Sequence, residues 1–538
     1  MYQGLSRIAG ERFASRRSVV HGRRGAVATS QPLAAQAGLR ILMAGGNAFD
    51  AAIATAAALN VVEPMSTGIG GDAFALCCRP GDPTVYALNA SGRAAMAAQL
   101  DDYRARFGKM PMLGIHSVSI PGAVDGWASL LARFGTMTLR DVLRPAIEYA
   151  EEGYPVSELI ARNWASSAAK LRRHADSARH YLFDGEAPRV GQIVRLPALG
   201  RSLRQIAEGG RDAFYHGEIA EKIVATSQAE GGCITLDDLR RHVSTWDEPI
   251  HVNYRGYELY ECPPNGQGLV ALVALNVLSG HPIGAMAWSS TEHQHLLIEA
   301  IKIGFAEASE YVADPAFVDL PLAEILSAER AAHHRASIDP VRASTAARIM
   351  PPAADTVYLT TADGQGNACS FINSLFHGFG SGVTAGDTGI CLQNRAGLFS
   401  LDPNHRNRLE GGKRPYQTII PAMVTRDGKP WLSYGVMGGF MQPQGHVQVL
   451  SNLVDFDMNP QEALDAPRFR VMHGTKVGVE RSMGMPTIET LRRFGHDVID
   501  EPPLTMAYGG GQAILIDPDT GVLSAASEPR KDGLAVAY

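Results

Sequence analysis

The sequence predicts a soluble globular protein of mixed α and β structure. Apolar residues make up 45% and charged residues 19% of the 538 residues, a balance typical of soluble globular chains. Helical periodicity dominates roughly the first 312 residues, and strand-like patterns separated by turns dominate from residue 356 onward. The length exceeds one ordinary core, so we expect two domains or one large fused body.

Helices account for most of the N-terminal part. The Ala-rich segment 47–62, with Asn47 or Asp50 as a cap, predicts a buried helix. Helical patterns return from Thr138 to about Glu230 and again over 290–312. We expect a strand over 84–93, ending at Arg93.

The composition and the predicted secondary structure change near residue 355. Segment 327–354 is rich in Ala, Arg and Pro and poor in large apolar residues, which predicts an exposed linker where a chain can be cut. Residues 356–375 then predict two strands around a D-G-Q-G turn. Further on, the SYGVMGGF segment precedes a predicted helix.

Charge and cysteine usage exclude several classes of protein. The formal net charge is −6 without clustered Lys or Arg, so we expect no nucleic-acid partner and no anionic membrane surface. The longest apolar stretch is too short and too interrupted to span a bilayer. Six cysteines without a C-x-x-C pair predict reduced thiols in a cytoplasmic protein rather than a disulfide frame or a zinc site: Cys77, Cys78, Cys233, Cys262, Cys369 and Cys391.

Targeting and common catalytic motifs are missing from the sequence. The N-terminus is Arg-rich (Arg7, Arg12, Arg16 and Arg17) but has no apolar segment after it, so it does not predict a secretory signal. There is no G-x-S-x-G elbow, phosphate loop or H-E-x-x-H motif. The His293/His295 and His333/His334 pairs lack ligand partners at metal spacing, so we expect solvated helix histidines and no metal.

Asp355-Thr356 is the informative dipeptide. A hydroxyl residue at the start of a strand, just after an exposed linker, suits an N-terminal nucleophile. Its hydroxyl attacks the Asp355 carbonyl, the peptide becomes an ester, and water releases a chain that begins at Thr356. The new α-amine, whose ordinary pKa is about 8, then serves as general base for its own hydroxyl. Taken alone, the dipeptide is a weak signal, and an ordinary threonine at the start of a strand is the more frequent explanation.

Short motifs in order along the chain resemble the γ-glutamyltransferase family of N-terminal-nucleophile hydrolases. They cover roughly 500 residues, and their number and order make the resemblance specific. The motifs are GGNAFDAAIATAAALNVVEP, STGIGGDAF, SGR, SIPGAVDGW, EGYPVS, DTVYL, DGQGNACSFINS, GSG, GICLQN, GGKRP, VMGGF and EPRKDG.

The resemblance implies the architecture and the processing. It implies a four-layer αββα sandwich of the α/β (α+β) class. It implies a large chain, 1–355, and a small chain, 356–538, separated between Asp355 and Thr356 and remaining associated as a heterodimer. No cofactor is implied, since amide hydrolysis needs only a nucleophile, a base and oxyanion donors. Association into a higher oligomer stays open.

The resemblance also implies roles for particular residues. Thr356 falls at the nucleophile and Ser374 at a second hydroxyl that orients the Thr α-amine. Gly438 and Gly439 fall at the oxyanion hole, where backbone N–H groups stabilise the tetrahedral intermediate. Arg93 falls at an arginine that grips a substrate carboxylate. A strand serine, a plain Gly-Gly turn and a structural ion pair are the respective alternatives.

The sequence departs from family members that take glutathione at the positions that hold the glutamyl α-amine. Those members use an Asn, a Gln and an Asp, where this chain has Phe376, Arg395 and Leu398. An ammonium needs acceptors or an anion, which this set does not offer. The family's paired serines become Gln417 and Thr418, which we expect to donate to a carboxylate.

The substrate is therefore expected to be a small amide that carries a carboxylate for Arg93 and Arg395 and lacks an α-amine. The bulk of Phe376 favours oxamate, hydrolysed to oxalate and ammonia. The alternatives are a dicarboxylic-acyl (cephalosporin-type) acylase and a γ-glutamyl hydrolase or transferase (glutathione hydrolase). An unprocessed, inactive paralogue that only binds a ligand is a fourth reading.

Overall fold

Two large antiparallel sheets face each other in the computed structural model, which describes residues 17–345 and 355–538. The strands are β1 (Val20–Gly22), β2 (Gly25–Thr29), β3 (Asp72–Arg79), β4 (Asp82–Ala90), β5 (Tyr154–Pro155), β6 (Ile193–Val194), β7 (Thr245–Asp247), β8 (Ile250–Tyr254), β9 (Tyr257–Glu261), β10 (Asp355–Asp363), β11 (Ala368–Phe376), β12 (Ala422–Arg426), β13 (Lys429–Met437), β14 (Phe469–His473), β15 (Lys476–Glu480), β16 (Asp497–Glu501), β17 (Gly510–Ile516), β18 (Leu523–Ser527) and β19 (Leu534–Ala537).

Helices cover the outer faces of both sheets. They are α1 (Pro32–Met43), α2 (Ala48–Val62), α3 (Leu100–Phe107), α4 (Ala123–Phe134), α5 (Leu139–Glu152), α6 (Glu158–Leu171), α7 (Ala175–Tyr181), α8 (Pro197–Tyr215), α9 (Glu218–Ala229), α10 (Leu236–Arg240), α11 (Gly268–Leu278), α12 (Thr291–Tyr311), α13 (Leu322–Ile325), α14 (Ala328–Ser337), α15 (Gln442–Val454), α16 (Pro460–Asp465) and α17 (Met485–Arg493).

Strand order interleaves distant parts of the chain. Sheet I has the order β19-β2-β10-β11-β3-β4-β7, and sheet II has the order β1-β18-β17-β13-β12-β9-β8. Smaller sheets combine β14, β15 and β16, and β5 with β6. In sheet I, β10 pairs with β11 from Asp355 onward and with β2 only from Leu359 to Asp363, so Thr356 lies near the start of the strand, next to β11.

Three buried apolar clusters correspond to the three interfaces of a four-layer stack. The first packs α1, α2 and further helices on sheet I, and the second packs α11, α12 and α15 on sheet II. The third lies between the sheets, where Tyr358 and Ile372 of sheet I meet Met423 and Ile514 of sheet II. The predicted αββα sandwich is confirmed.

Most predicted elements are confirmed. The Ala-rich helix α2 is buried along its whole length and is capped by Asn47, whose side chain accepts from the Asp50 amide, while the Asp50 carboxylate accepts from the Asn47 amide. The two strands around the D-G-Q-G turn are β10 and β11. The strand predicted over 84–93 ends at Ala90, three residues early.

The predicted linker is partly wrong. Its first part forms α14, where Ser327 caps the helix and Ala331 is buried. Arg330 of this helix forms an ion pair with the carboxylate of Glu307, with 3.0 Å between Nη2 and Oε1. These tertiary contacts stabilise a helix that has few large apolar residues. The rest of the predicted linker, 346–354, lies outside the described residues, as do Arg7, Arg12 and Arg16 of the N-terminal segment.

The cysteines are free thiols, as the sequence predicts. All six cysteines are free thiols, five of them buried. Across residues 17–345 and 355–538, no helix combines the length and the apolar character that a membrane span requires.

Candidate active site

Thr356 lies at an irregularity in the pairing of β10 with β11. Asp355 pairs with Phe376 and Val357 with Asn373, so two residues of β11, Ser374 and Leu375, lie opposite Thr356 alone. Such bulges re-aim side chains and are frequent beside active sites. Thr356 is fully buried, and its Oγ1 is 3.1 Å from the Ser374 Oγ. The two hydroxyls that the sequence proposed as catalytic are thus in hydrogen-bond contact.

Phe376 adopts an uncommon backbone conformation beside this hydroxyl pair. Its φ is +79°, a region that a bulky residue rarely enters. The Ser374 Oγ accepts from the Phe376 backbone N–H at 2.8 Å, and the aromatic ring lies 4.6 Å from the Arg395 guanidinium carbon. Backbone strain that neighbouring contacts maintain is common at functional sites. Here it turns the ring over the guanidinium.

Arg395 is a buried cation with two uncommitted nitrogens. It begins a short 3-10 turn, Arg395–Leu398, and is fully buried. Its Nη1 donates to the Thr418 Oγ1 at 2.6 Å, whereas its Nε and Nη2 have no hydrogen-bond partner among the described residues. Burial lowers the pKa of Arg395 to about 9, against the opposing effect of Asp72, so the guanidinium stays charged at neutral pH. Nε and Nη2 form the side of the guanidinium that grips a carboxylate with two parallel hydrogen bonds.

Asp72 is a site residue that the sequence analysis missed. It begins β3 directly opposite Ser374 in β11 and is fully buried. Its Oδ1 accepts from the Gly92 amide at 2.9 Å and from the Gln393 Nε2 at 2.8 Å. Burial raises the pKa of Asp72 to about 6, although Arg395 and the hydrogen bonds oppose the shift. A charged residue inside the otherwise apolar DAFALCC run was the available signal.

Gln417 and Thr418 lie next to Asp72 and Arg395. The Gln417 Nε2 donates to the Asp72 Oδ2 at 2.6 Å, and the Gln417 Oε1 has no partner in the described part of the chain. The contact with Asp72 uses one of the two amide hydrogens of Gln417, so donation to a substrate carboxylate stays a prediction, and the group without a partner is the acceptor Oε1. Thr418 accepts from Arg395, which leaves its hydroxyl hydrogen available to donate.

Gly438 and Gly439 follow β13 and precede α15. Their φ angles are +133° and +58°, which glycine adopts without steric cost. A Cβ at Gly438 would lie 3.1 Å from the Gly509 Cα. Gln267 connects this turn to the site, since its Nε2 donates to the carbonyls of Thr418 and Gly439 at 2.7 and 2.8 Å.

Arg93 follows Gly92, whose amide donates to Asp72, but the Arg93 side chain bonds elsewhere. It is half-buried, and its Nη1 is 3.4 Å from the Val243 carbonyl. No hydrogen bond or ion pair of the described residues joins it to Thr356 or Arg395. Its charge acts instead on Arg414, where burial first and then Arg93 lower the pKa to about 10. Leu398 is buried at the end of the Arg395 turn, and its carbonyl accepts from the Asn407 Nδ2 at 2.8 Å.

One cluster of potential metal ligands occurs in the described residues, formed by His295, Glu299 and His496. The prediction of solvated histidines is wrong for His295 and also for His293, because both are buried on α12. The His295 Nδ1 is 2.8 Å from the His496 Nε2. The Glu299 carboxylate accepts from the Lys302 Nζ at 2.8 Å. An ammonium already bound to the one carboxylate makes this a hydrogen-bond network rather than a cation site.

Taken together, the group joins a hydroxyl pair, a buried cation and a glycine turn. Thr356 provides a hydroxyl nucleophile in contact with Ser374. Arg395 and the Thr418 hydroxyl provide donors for an anion. Such an arrangement suits acyl transfer from a substrate that carries a negative charge close to its scissile carbonyl.

Comparison with known proteins identifies the same group of enzymes. A family model described as Gamma-glutamyltranspeptidase matches residues 34–538. The chain is 40% identical over 528 residues to the "Glutathione hydrolase-like YwrD proenzyme" of Bacillus subtilis, covering 96% of this chain and 99% of that one. It is 35% identical over 518 residues to the "Oxamate amidohydrolase proenzyme" of Klebsiella pneumoniae, with 94% and 97% covered. A solved structure, the cephalosporin acylase from Bacillus halodurans, superposes with a TM-score of 0.92 at 45% identity over 98% of both chains.

Proposed function

This chain belongs to the γ-glutamyltranspeptidase family, and we propose that it cuts itself before Thr356 and then hydrolyses a small carboxylate-bearing amide, with oxamate as the preferred substrate. Family members are proenzymes that hydrolyse amide C–N bonds, and this chain is one of them. The substrate and the residue roles below are the proposal.

Processing begins with the Thr356 hydroxyl. Its oxygen attacks the backbone carbonyl carbon of Asp355, the C–N bond breaks, and an ester with a free α-amine forms. Water then hydrolyses the ester, so that the large chain ends in the carboxylate of Asp355 and the small chain begins with Thr356. The contact between Thr356 Oγ1 and Ser374 Oγ, 3.1 Å long, places Ser374 beside Thr356 and so supports its proposed role of orienting the Thr356 α-amine after cleavage.

Turnover repeats the same chemistry on the substrate. The α-amine of Thr356 takes the hydroxyl proton while the oxygen attacks the amide carbon, and Gly438 and Gly439 donate backbone N–H groups to the oxyanion. The C–N bond breaks, the proton passes to the leaving nitrogen, and ammonia leaves an acyl ester. Water hydrolyses the ester to oxalate and restores the Thr356 hydroxyl.

The observation that carries the substrate class is the buried fork of Arg395. Its Nε and Nη2 have no hydrogen-bond partner in the described residues, and buried donors without an acceptor are costly. A substrate carboxylate satisfies both nitrogens, and the Thr418 hydroxyl adds a third donor. The Phe376 ring covers the guanidinium at 4.6 Å, which favours a short substrate. In oxamate the carboxylate is bonded directly to the scissile carbonyl, so Thr356 and Arg395 act on neighbouring carbons.

Two other substrate classes have specific support. The likeness to the cephalosporin acylase structure favours a dicarboxylic-acyl amide, whose carboxylate lies farther from the scissile bond. The buried carboxylate of Asp72 beside Arg395 favours a γ-glutamyl group, because it offers an anion that the three departures at Phe376, Arg395 and Leu398 lack. Both Asp72 oxygens already accept hydrogen bonds, so we rank the γ-glutamyl class below the simple carboxylate amide.

The test compares kcat/KM for oxamate, a glutaryl amide and glutathione on the processed enzyme. We expect oxamate to be cleaved best. Arg395→Gln removes the charge and the fork, and charged hydrogen bonds of this kind are worth about 1.5–3 kcal/mol. The expected loss in kcat/KM for oxamate is therefore about 10- to 100-fold.

Arg395→Lys is the matched control for charge, since it keeps the cation and loses the fork. Its kcat/KM for oxamate is expected to lie between those of wild type and Arg395→Gln. Arg93→Gln tests the other arginine, and the half-buried position of Arg93 predicts a smaller loss. A wild type that cleaves glutathione best, or an Arg395→Gln variant with unchanged oxamate turnover, would contradict the proposed substrate class.

A further inference from the structure

The side-chain amide of Gln417 has a fixed orientation in the site. Its backbone is held on both sides, because the Gln417 N–H donates to the Asn265 carbonyl and its carbonyl accepts from the Gln267 amide at 3.0 Å. Its Nε2 donates to the Asp72 Oδ2 at 2.6 Å, and the side chain is fully buried. The position of the amide is therefore determined by three neighbours.

Asp72 determines which end of that amide faces outward. An ionised carboxylate only accepts hydrogen bonds, so the NH2 group of Gln417 must face Asp72. The other Asp72 contacts agree, since the Gly92 amide and the Gln393 Nε2 both donate to Oδ1. The Gln417 Oε1 points the other way and has no hydrogen-bond partner in the described residues, although it is buried. A buried acceptor in this condition is costly unless a ligand satisfies it.

This acceptor belongs to the same group of residues as the candidate nucleophile. Gln417 precedes Thr418, whose Oγ1 accepts from Arg395 at 2.6 Å. Asp72 lies directly opposite Ser374 in the pairing of β3 with β11, and the Ser374 hydroxyl contacts Thr356. Residues directly opposite in an antiparallel pair have side chains on the same face, with Cβ atoms about 4.5–5.5 Å apart. Asp72 and the Gln417 amide are therefore neighbours of the hydroxyl pair.

We propose that the Gln417 Oε1 accepts a hydrogen bond from an N–H group of the substrate adjacent to the carboxylate held by Arg395, and that Asp72 is the positioning residue that fixes this polarity. The inference rests on the proposed function, because it takes Arg395 as the carboxylate site. It defines the substrate class more narrowly: the site selects carboxylates with a neighbouring N–H over keto acids and esters of the same shape.

Oxamate and pyruvate are the probes for this selectivity. They have nearly the same shape, but oxamate carries an NH2 group where pyruvate carries a methyl group. Because the processed enzyme hydrolyses oxamate, oxamate is measured by its KM and pyruvate by its constant for competitive inhibition of that hydrolysis. Addition of Thr356 to the pyruvate ketone would affect each variant in the same way, so the quantity compared is the ratio of these two constants in each variant relative to wild type.

Gln417→Met is the first variant, because it keeps the length of the side chain and removes the acceptor. We expect the preference for oxamate over pyruvate to fall by about tenfold, the value of one lost hydrogen bond. Pyruvate binding should change little. An unchanged ratio overturns the proposal, because a purely structural role of Gln417 would alter both anions together.

Asp72→Asn is the second variant, and we expect it to reverse the polarity of the Gln417 amide that the substrate meets. The oxygen of the substituted amide can keep the contacts with Gly92 and Gln393, but its NH2 group forces the Gln417 amide to rotate and present its own NH2 to the substrate. The preference should then move toward pyruvate, further than in Gln417→Met, while both anions bind more tightly because a negative charge near Arg395 is gone. A preference that stays at the wild-type value overturns the proposal.

The two variants differ in chemistry, so each provides a test if the other does not fold, and cleavage into two chains serves as the check on folding. Failure of the proposed function has a different signature. If neither anion binds to wild type, or if Arg395→Gln binds both as wild type does, the carboxylate site itself is wrong. If both anions bind through Arg395 and their ratio is insensitive to Gln417 and Asp72, only the present inference fails.

Discussion

At the scale of single residues, Asp72 makes anion binding at Arg395 depend on pH. Burial raises the pKa of Asp72 to about 6, and Arg395, whose own pKa is lowered to about 9, stays charged across the neutral range. Above about pH 6 the ionised Asp72 carboxylate partly cancels the positive charge of the Arg395 guanidinium. Below that pH the Asp72 carboxyl group is protonated and neutral, so it no longer weakens the attraction of Arg395 for an anion. Affinity for an anion must therefore rise as the pH falls through this value.

Oxalate, the proposed product, tests this dependence because it has no N–H group to contact Gln417. We expect its inhibition constant to fall by up to about tenfold between about pH 7 and pH 5.5. Oxalate remains ionised over this range, since carboxylates usually titrate near pH 4. In Asp72→Asn the inhibition constant should be flat over the same window. A slope that persists in that variant would assign the effect to another group.

Gly439 gives a second prediction at this scale. Its φ of +58° disfavours any residue with a Cβ. Gly439→Ala should shift the backbone N–H from its place, and loss of one oxyanion donor typically costs about 10²–10³ in kcat. The measurement is kcat on the processed variant, with KM expected to change little. Gly428→Ala is a matched control, because Gly428 also has a positive φ of +73° but lies in an exposed turn with open space around it. Normal turnover in Gly439→Ala would locate the oxyanion donors elsewhere.

Site residues differ in how far the sequence determines them. Thr356 and Ser374 lie in the motifs DTVYL and DGQGNACSFINS. The turn that opens the second motif pairs β10 with β11, and this pairing brings the two hydroxyls into contact. Asp72 lies within the motif STGIGGDAF, but no role was predicted for it, because its function depends on Gln417, which is distant in sequence. The orientation of the Gln417 amide depends in turn on Asp72, so the sequence could not predict that its Oε1 is left without a partner.

At the scale of secondary-structure elements, the β10–β11 hairpin positions Thr356, the proposed nucleophile. β10 lies between β2 and β11, and the irregularity opposite Thr356 turns its hydroxyl toward Ser374. Pairing on both sides from Leu359 onward, and with β11 before it, fixes the part of the strand that follows Thr356. The same placement serves the self-cleavage step and the later turnover.

Substitutions of Thr356 test this hairpin as a self-cleaving element. Thr356→Ala should remain one intact and inactive chain, because no hydroxyl is left for the acyl shift. Thr356→Ser keeps the hydroxyl and should still give two chains. Denaturing gels and N-terminal sequencing of the small chain are the measurements. Any start other than residue 356 would falsify the assignment of the cleavage point.

The helices α2 and α14 show which structural features a local sequence pattern can predict and which it cannot. The Ala-rich pattern of α2 and its Asn47 cap are local signals, and the structure confirms both. The helix α14 is also rich in Ala but has Arg and His residues and no apolar face, so the sequence predicted a linker. The ion pair between Arg330 and Glu307, and a hydrogen bond of 3.1 Å from the Arg335 Nη1 to the Asn276 carbonyl, stabilise it instead. Such contacts depend on tertiary structure and are invisible in the sequence.

At the scale of the whole molecule, the chain segments on either side of position 355 share both sheets. In sheet I, β2 from the first segment lies between β19 and β10 from the second. In sheet II, β1 pairs with β18 at one edge, and β9 pairs with β12. Neither segment could keep its strand partners alone. Cleavage before Thr356 should therefore leave one particle with two chains, separable only by denaturant.

The buried contact between Lys531 and Glu63 makes this interdependence measurable. Lys531 lies after position 355 and Glu63 before it, their Nζ and Oε1 are 2.7 Å apart, and both are almost fully buried. Removing one partner of a buried ion pair costs about 3–5 kcal/mol, because the other charge stays buried. Lys531→Ala should thus lower the stability of the processed protein by about that amount.

Lys222→Ala is the matched control. Lys222 pairs with Asp387 across the same boundary at 3.1 Å, but both side chains are exposed, so the loss of stability should be within about 1 kcal/mol. Urea unfolding followed by fluorescence and by size exclusion gives both values. We expect a single transition at which unfolding and chain separation coincide, and two separate transitions would show that each chain folds independently.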